Sequence, residues 1–308
     1  MAPRGECLKT ALVLSGGGSL GAVQVGMLQA LSRIALPVHM VVGASVGALN
    51  GAFFAANPTV DGVEQLAGLW RGLRRNDVFP LTLLAGLKAL LSGRDHLIEP
   101  RALQAIVRRA LGVRRIEHAR IPLHIVAADV LGGEEVLLSS GDLGDALRAS
   151  TAIPVVFPSV QWGGHRLIDG SVCSNTPIAS AVRLGARRII VLPTGMSCAL
   201  KEPPRNMAAL ALHVLSLLGM RQLDRDILHY ASQARITVVP PLCPLAVSAF
   251  DFSHTSWLIE QARRQCADWV SAGGLSQTGP LDVPLAHRDH AGAVAPHGMG
   301  HSASGRLA

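Results

Sequence analysis

The chain opens on short apolar runs that stop at glycine-rich turns. Ala11 to Leu14 is an unbroken apolar run ended by Ser15-Gly16-Gly17-Gly18. Short continuous runs of this kind suit strands covered on both faces, as in a parallel sheet. Val23, Met27, Leu28 and Leu31 then recur at helical spacing, and Pro37 breaks the chain. Val38 to Val42 predicts a second buried strand. The turn Gly43-Ala44-Ser45-Val46-Gly47 follows, and a second helix runs through Ala48, Leu49, Phe53 and Phe54. Two strand–turn–helix units in quick succession predict a βαβα sheet.

Residues 62 to 111 read as mainly helical, first on Leu66, Leu69, Trp70 and Leu73, later on Leu83, Leu84, Leu87, Leu90 and Leu91. Strands are expected at Leu123 to Ala128, Glu135 to Ser139, Arg166 to Ile168, Arg188 to Leu192 and Ile236 to Val239. Helices are expected at Asp142 to Ala149, Pro177 to Leu184 with its proline in the first turn, Met207 to His229 and Ser256 to Ala272. There is no internal repeat. From Gly273 the periodicity ends in a stretch rich in glycine, histidine, proline and alanine, which predicts a disordered tail over 273–308 behind one unit at 1–272. His287, His290, His297 and His301 in that tail read as solvated side chains rather than metal ligands.

Composition narrows the class. Of 308 residues, 49% are hydrophobic and 16% charged, enough for a sizeable core. The formal charge of +7 favours anionic partners, either phospholipid surfaces or nucleic acid. The arginines fall in short groups, such as Arg71, Arg74 and Arg75, with one tyrosine in the chain and no aromatic-plus-basic repeat. That is not a nucleic-acid module; it describes solvated helix faces with a weak preference for anionic membrane. Cys7, Cys173, Cys198, Cys243 and Cys266 are scattered and never form C-x-x-C. Neither a disulfide framework nor a zinc site is expected, and a reducing compartment is.

Between Thr10 and Val60 the only charged side chain is Arg33. Yet the apolar runs break at Ser15 and Gly43, well short of the ~20 residues a membrane span needs. The amino terminus has no signal-peptide core. The expectation is a soluble, cytoplasmic protein with scope for peripheral contact at an anionic membrane. Two lightly charged segments, Pro80 to Leu91 and Ala208 to Met220, suit core helices better than an acyl-chain pocket or a membrane contact.

Three features carry chemistry. Gly43 to Gly47 matches G-x-S-x-G with a strand before it and a helix after it, the setting in which a sharp turn exposes a serine at a helix N-terminus. An ordinary glycine-rich turn would read the same way. Gly16, Gly18 and Gly21 satisfy G-x-G-x-x-G, which admits a dinucleotide-binding oxidoreductase of Rossmann type. That fingerprint expects an acid about twenty residues on, and no Asp or Glu occurs between Cys7 and Val60. Alternatively, the Gly16, Gly17 and Gly18 amides form an oxyanion hole beside Ser45. Asp169, followed by Gly170 at the end of an expected strand, is either the base for that serine or a turn residue.

In this order the motifs resemble those of the patatin-like phospholipases: Gly16-Gly17-Gly18, the Gly43-to-Gly47 elbow, Ala149-Ser150 with Pro154, Asp169-Gly170 with Asn175 and Pro177, and Phe252-Ser253-His254. The resemblance covers roughly residues 9 to 272. It implies a three-layer α/β/α fold around a mostly parallel sheet and lipid or phospholipid ester hydrolysis. It also implies a dyad of Ser45 as nucleophile and Asp169 as base, with no metal or cofactor. Leu20 stands where many members have Arg or Lys, and Ser171 where they have Gly or Ala.

His213, His229 and His254 all follow Asp169, so chain order would permit a triad, with His254 the best placed. A capping or core role suits them better. In a dyad the carboxylate itself must take the serine proton, so Asp169 needs a dry setting that raises its pKa. A soluble carboxylesterase or thioesterase would share this chemistry.

Overall fold

The protein is described by a computed structural model covering residues 8–79, 96–98, 101–204 and 207–276. The expected Pro80–Leu91 segment and all but the first residues of the expected tail lie outside these. Among the described residues the helices are α1 (Gly21–Leu31), α2 (Val46–Ala56), α3 (Val60–Gly72), α4 (Arg75–Val78), α5 (Arg101–Ala110), α6 (Leu143–Ser150), α7 (Ile178–Arg183), α8 (Met207–Tyr230) and α9 (Thr255–Ser271). The strands are β1 (Thr10–Leu14), β2 (Met40–Ala44), β3 (Leu123–Asp129), β4 (Glu135–Leu138), β5 (Val160–Trp162), β6 (His165–Asp169), β7 (Arg188–Leu192) and β8 (Arg235–Val238).

They form one sheet in the order β5-β6-β3-β2-β1-β7-β8, with β4 also paired to β3. From β3 to β8 every neighbouring pair on that path is parallel, while β4, β5 and β6 run antiparallel to their partners. Side chains alternate across β1. Leu12 and Leu14 join the core under α1, α2, α3 and α9; Ala11 and Val13 join the one under α7 and α8. The expected α/β/α layering follows, because both faces of the sheet are apolar and both must be covered.

β2 departs from expectation, running from Met40 to Ala44 rather than from Val38 to Val42. Gly43 pairs with Leu14 and Ile125, and Ala44 with Val126, so ladder bonding carries the strand to the edge of the elbow. β5 had no sequence signal of its own at three residues. Its partner turn, Gly163-Gly164, does: both have positive φ, 52° and 88°, as a two-residue hairpin requires.

Register sets up the site. Ala44 is level with Val126 on β3, and the next residue of β3, Ala127, is paired with Asp169 on β6. Ser45 and Asp169 therefore stand at one height on either side of β3, although β6 runs against β2.

Three buried polar side chains behind the glycine loop satisfy one another. Gln24 Nε2 donates to the carbonyls of Ser15 (2.8 Å) and Leu192 (2.9 Å). Gln24 Oε1 accepts from Asn50 Nδ2 (2.9 Å), which also donates to Gly21 O (3.0 Å). Asn50 Oδ1 takes the indole N–H of Trp70 (2.8 Å). Such a network is tolerable in a core only when complete, and this one ties α1, α2 and α3 to the end of β1. Among the described residues no helix is long and apolar enough to cross a membrane.

Candidate active site

Ser45 sits between β2 and α2 at φ 53°, ψ −128°, a conformation costly for a residue with a side chain. The turn is possible because its flanking glycines allow backbone to touch backbone. A Cβ on Gly43 would lie 2.6 Å from Gly47 O, and one on Gly47 2.3 Å from Leu14 O. The turn is also pinned from outside. Ser45 N–H donates to Ser150 Oγ (2.9 Å), and the Ser150 hydroxyl donates to Val126 O on β3 (2.6 Å). Ser150, the last residue of α6, entered the sequence reading only as part of a motif. Its role as a strut under the elbow depends on a tertiary contact that spacing cannot show.

Ser45 Oγ donates to Asp169 Oδ2 at 2.7 Å. The other carboxylate oxygen accepts the Ser171 N–H at 2.8 Å. Asp169 is 1% exposed and Ser45 7%. Burial is the largest influence on the carboxyl and pushes its pKa from 3.8 up to about 6, the hydrogen bonds from Ser45 and Ser171 opposing it. The Ser171 hydroxyl is buried beside the same carboxyl and helps to lower its pKa, without a well-formed hydrogen bond among the described residues, and a Cβ on Gly16 would meet it at 2.1 Å.

The glycine loop lies against this pair: a Cβ on Gly16 would come 3.2 Å from that of Ser45. Here the expectation needs a correction. Gly16 N–H already donates to Asn175 O (3.0 Å), and Gly16 O accepts from Thr194 Oγ1 (2.7 Å). Gly16 is thus the fixed foot of the loop, with no donor left for an oxyanion. The N–H groups of Gly17 and Gly18 donate to nothing among the described residues. Gly18, at φ 58°, lines the same apolar pocket as Ser45, together with Trp70, Phe79, Phe157 and Phe252. Phe79 stacks on Phe157 at 5.6 Å, and Trp70 on Phe252 at 6.3 Å. The pocket volume is about 60 Å³, room for only a few methylenes in this arrangement.

None of the three candidate histidines bonds to Ser45 or Asp169. His254 is half exposed at the N-cap of α9, its Nε2 3.6 Å from Asp251. His229 lies edge-on to the Tyr230 ring, and His213 is half-buried along α8.

A serine held to a buried carboxylate on a tight strand–helix turn, beside a glycine loop with free amides, is the arrangement of an α/β acyl hydrolase. The sequence model of the patatin-like phospholipase family matches residues 12–182, and the chain belongs to that family. It is 30% identical over 187 residues to neuropathy target esterase sws of Drosophila melanogaster, which covers 60% of this chain and 13% of that one. It is 29% identical over 188 residues to patatin-like phospholipase domain-containing protein 7 of Mus musculus, with the same coverage. The chain thus spans only a small part of these relatives. The fold is that of human GIVD cytosolic phospholipase A2, at a TM-score of 0.51 and 10% identity over 89% of this chain and 63% of that one. The Rossmann alternative falls with this membership, since β2 ends in the Ser45 turn where a dinucleotide site expects its acid.

Proposed function

We propose that the chain is a serine acyl hydrolase that cleaves ester bonds of phospholipids or other lipids through a Ser45–Asp169 dyad. The hydrolase unit occupies residues 1–272. The observation that carries this reading is the 2.7 Å bond from Ser45 Oγ to a buried carboxylate whose pKa is raised. Ser45 Oγ attacks the ester carbonyl carbon while its proton passes to Asp169 Oδ2. The Gly17 and Gly18 amides take the oxyanion. As the C–O bond breaks, Asp169 returns the proton to the leaving alcohol. Water then repeats both transfers on the acyl-Ser45 ester and releases the acid. The apolar pocket supports a lipid partner over nucleic acid. The scattered cysteines, without C-x-x-C spacing, support a reducing, cytoplasmic compartment.

Acid–base logic supplies the test. Only the ionised carboxylate accepts a proton, so kcat/KM for a soluble chromogenic ester should rise with pH and level off, with a midpoint near the Asp169 value of about 6. Stopped-flow acylation across the acid range measures it. A midpoint near 3.8, where an unperturbed aspartate titrates, would show that burial does not set the base.

A further inference from the structure

Helix α8 has two unlike faces. Its inner face is fixed to the site: Leu212 packs near Gly18, and a Cβ on Gly219 would strike the Asn175 side chain at 2.4 Å. Gln222 clamps the chain leading to Asn175, accepting the Asn175 N–H (3.1 Å) and donating to Cys173 O (2.9 Å). The core reading of Ala208 to Met220 holds for that face only. On the outer face Leu210, Val214, Leu217 and Leu218 are all exposed, Leu218 by 61%. Arg221 and Arg225, also exposed, continue the same stripe. At 3.6 residues per turn these six positions fall within an arc of about 100° that runs for roughly 22 Å along the helix.

A water-facing helix in a globular protein carries polar residues outward. Here the outward stripe is apolar through Leu218, cationic at Arg221 and Arg225, and apolar again at Leu228, which is 80% exposed. Neither arginine is within ion-pair distance of a carboxylate among the described residues; Asp226, whose carboxyl feels Arg225, lies off the stripe. α8 is not a membrane span, so an exposed apolar face that carries two guanidinium groups describes a helix that lies in an interface. We propose that the outer face of α8 is the surface by which this protein docks on anionic lipid bilayers. Leu210, Val214, Leu217 and Leu218 enter the acyl region, and Arg221 and Arg225 meet the headgroup phosphates. The inner face of the same helix contacts Gly18 and Asn175, so α8 joins the docking surface to the loop beside Ser45. This rests on the lipid-ester reading of Ser45.

The test uses the full chain and vesicles of phosphatidylcholine with and without phosphatidylglycerol. Co-sedimentation should favour the anionic vesicles and weaken with salt. Both Leu217→Asp/Leu218→Asp and Arg221→Glu/Arg225→Glu should lower vesicle binding and vesicle-lipid hydrolysis by about tenfold or more. Turnover of a soluble short-chain ester should stay unchanged. Face-dependent vesicle binding without soluble-ester turnover in the unmodified chain would sink the hydrolase reading and leave the docking surface standing. Vesicle binding indifferent to both variants overturns the docking surface. So does a dimer in light scattering that the Asp variants dissolve, since a second copy would then cover this face.

Discussion

Asp169→Asn should cost about three orders of magnitude in single-turnover acylation and yet make the protein more stable above neutral pH. The first effect follows from basicity: the amide keeps the shape of the carboxylate but cannot take the Ser45 proton. The second follows from linkage. The folded chain holds the Asp169 proton more tightly than the unfolded chain does, with a pKa of about 6 against 3.8. The stability this contributes is complete below about pH 4 and is lost as pH rises through about 6. Above that, folding must bury an ionised carboxylate, at a cost of up to about 3 kcal/mol. Asparagine stays neutral at every pH and escapes that cost. Its amide must reorient the Ser45 hydroxyl, so the net gain should be about 1–3 kcal/mol at pH 8 and vanish near pH 4. Urea unfolding at the two pH values measures it. Equal stability at pH 8 would mean that the site is wetter than its burial indicates.

Gly47→Ala should be severely damaging, because a single added methyl group has no room there. Its Cβ would sit 2.3 Å from Leu14 O and 2.6 Å from both Leu14 C and Ser15 O. All three are backbone atoms at the end of β1, held by pairing to β2 and β7, and none can rotate away. Either α2 or the glycine loop must shift, which pulls Ser45 from Asp169 or moves the Gly17 and Gly18 amides. The expected cost is about 1–3 kcal/mol of stability, with acylation reduced at least a hundredfold in the protein that still folds. Gly68→Ala is the matched control. Gly68 is exposed on α3 with nothing within 4 Å of its Cβ position, so the change should stabilise by roughly 0.5–1 kcal/mol. The two urea midpoints should move in opposite directions at equal m-value.

Much of this was legible in the sequence, for local reasons. β1, β7 and most helices declare themselves by periodicity. Gly43 and Gly47 mark the elbow because only glycine permits the backbone contacts found there. The pairing of Ser45 with Asp169 followed from recognising the family's motifs in order, and no spacing rule would give it, since the register across β3 is a tertiary fact. Other features were hidden for the same reason. The oxyanion donors could not be sorted without seeing that Asn175 takes the Gly16 N–H. Ser150 and Thr194 act through hydrogen bonds to distant backbone. β5 is too short to be periodic, and the outward apolar stripe of α8 reads from sequence as core because hydropathy does not say which way a helix faces.

The most direct test of the account is where a fluorophosphonate probe lands. A fluorophosphonate reacts with an activated serine and mimics the tetrahedral intermediate, so it needs nucleophile, base and oxyanion donors together. Peptide mapping of the labelled chain should find one adduct, on Ser45, forming much more slowly in Asp169→Asn and absent in Ser45→Ala, with circular dichroism showing both variants folded. An adduct on another serine with Ser45 unmodified, or undiminished labelling of Ser45→Ala, would contradict it.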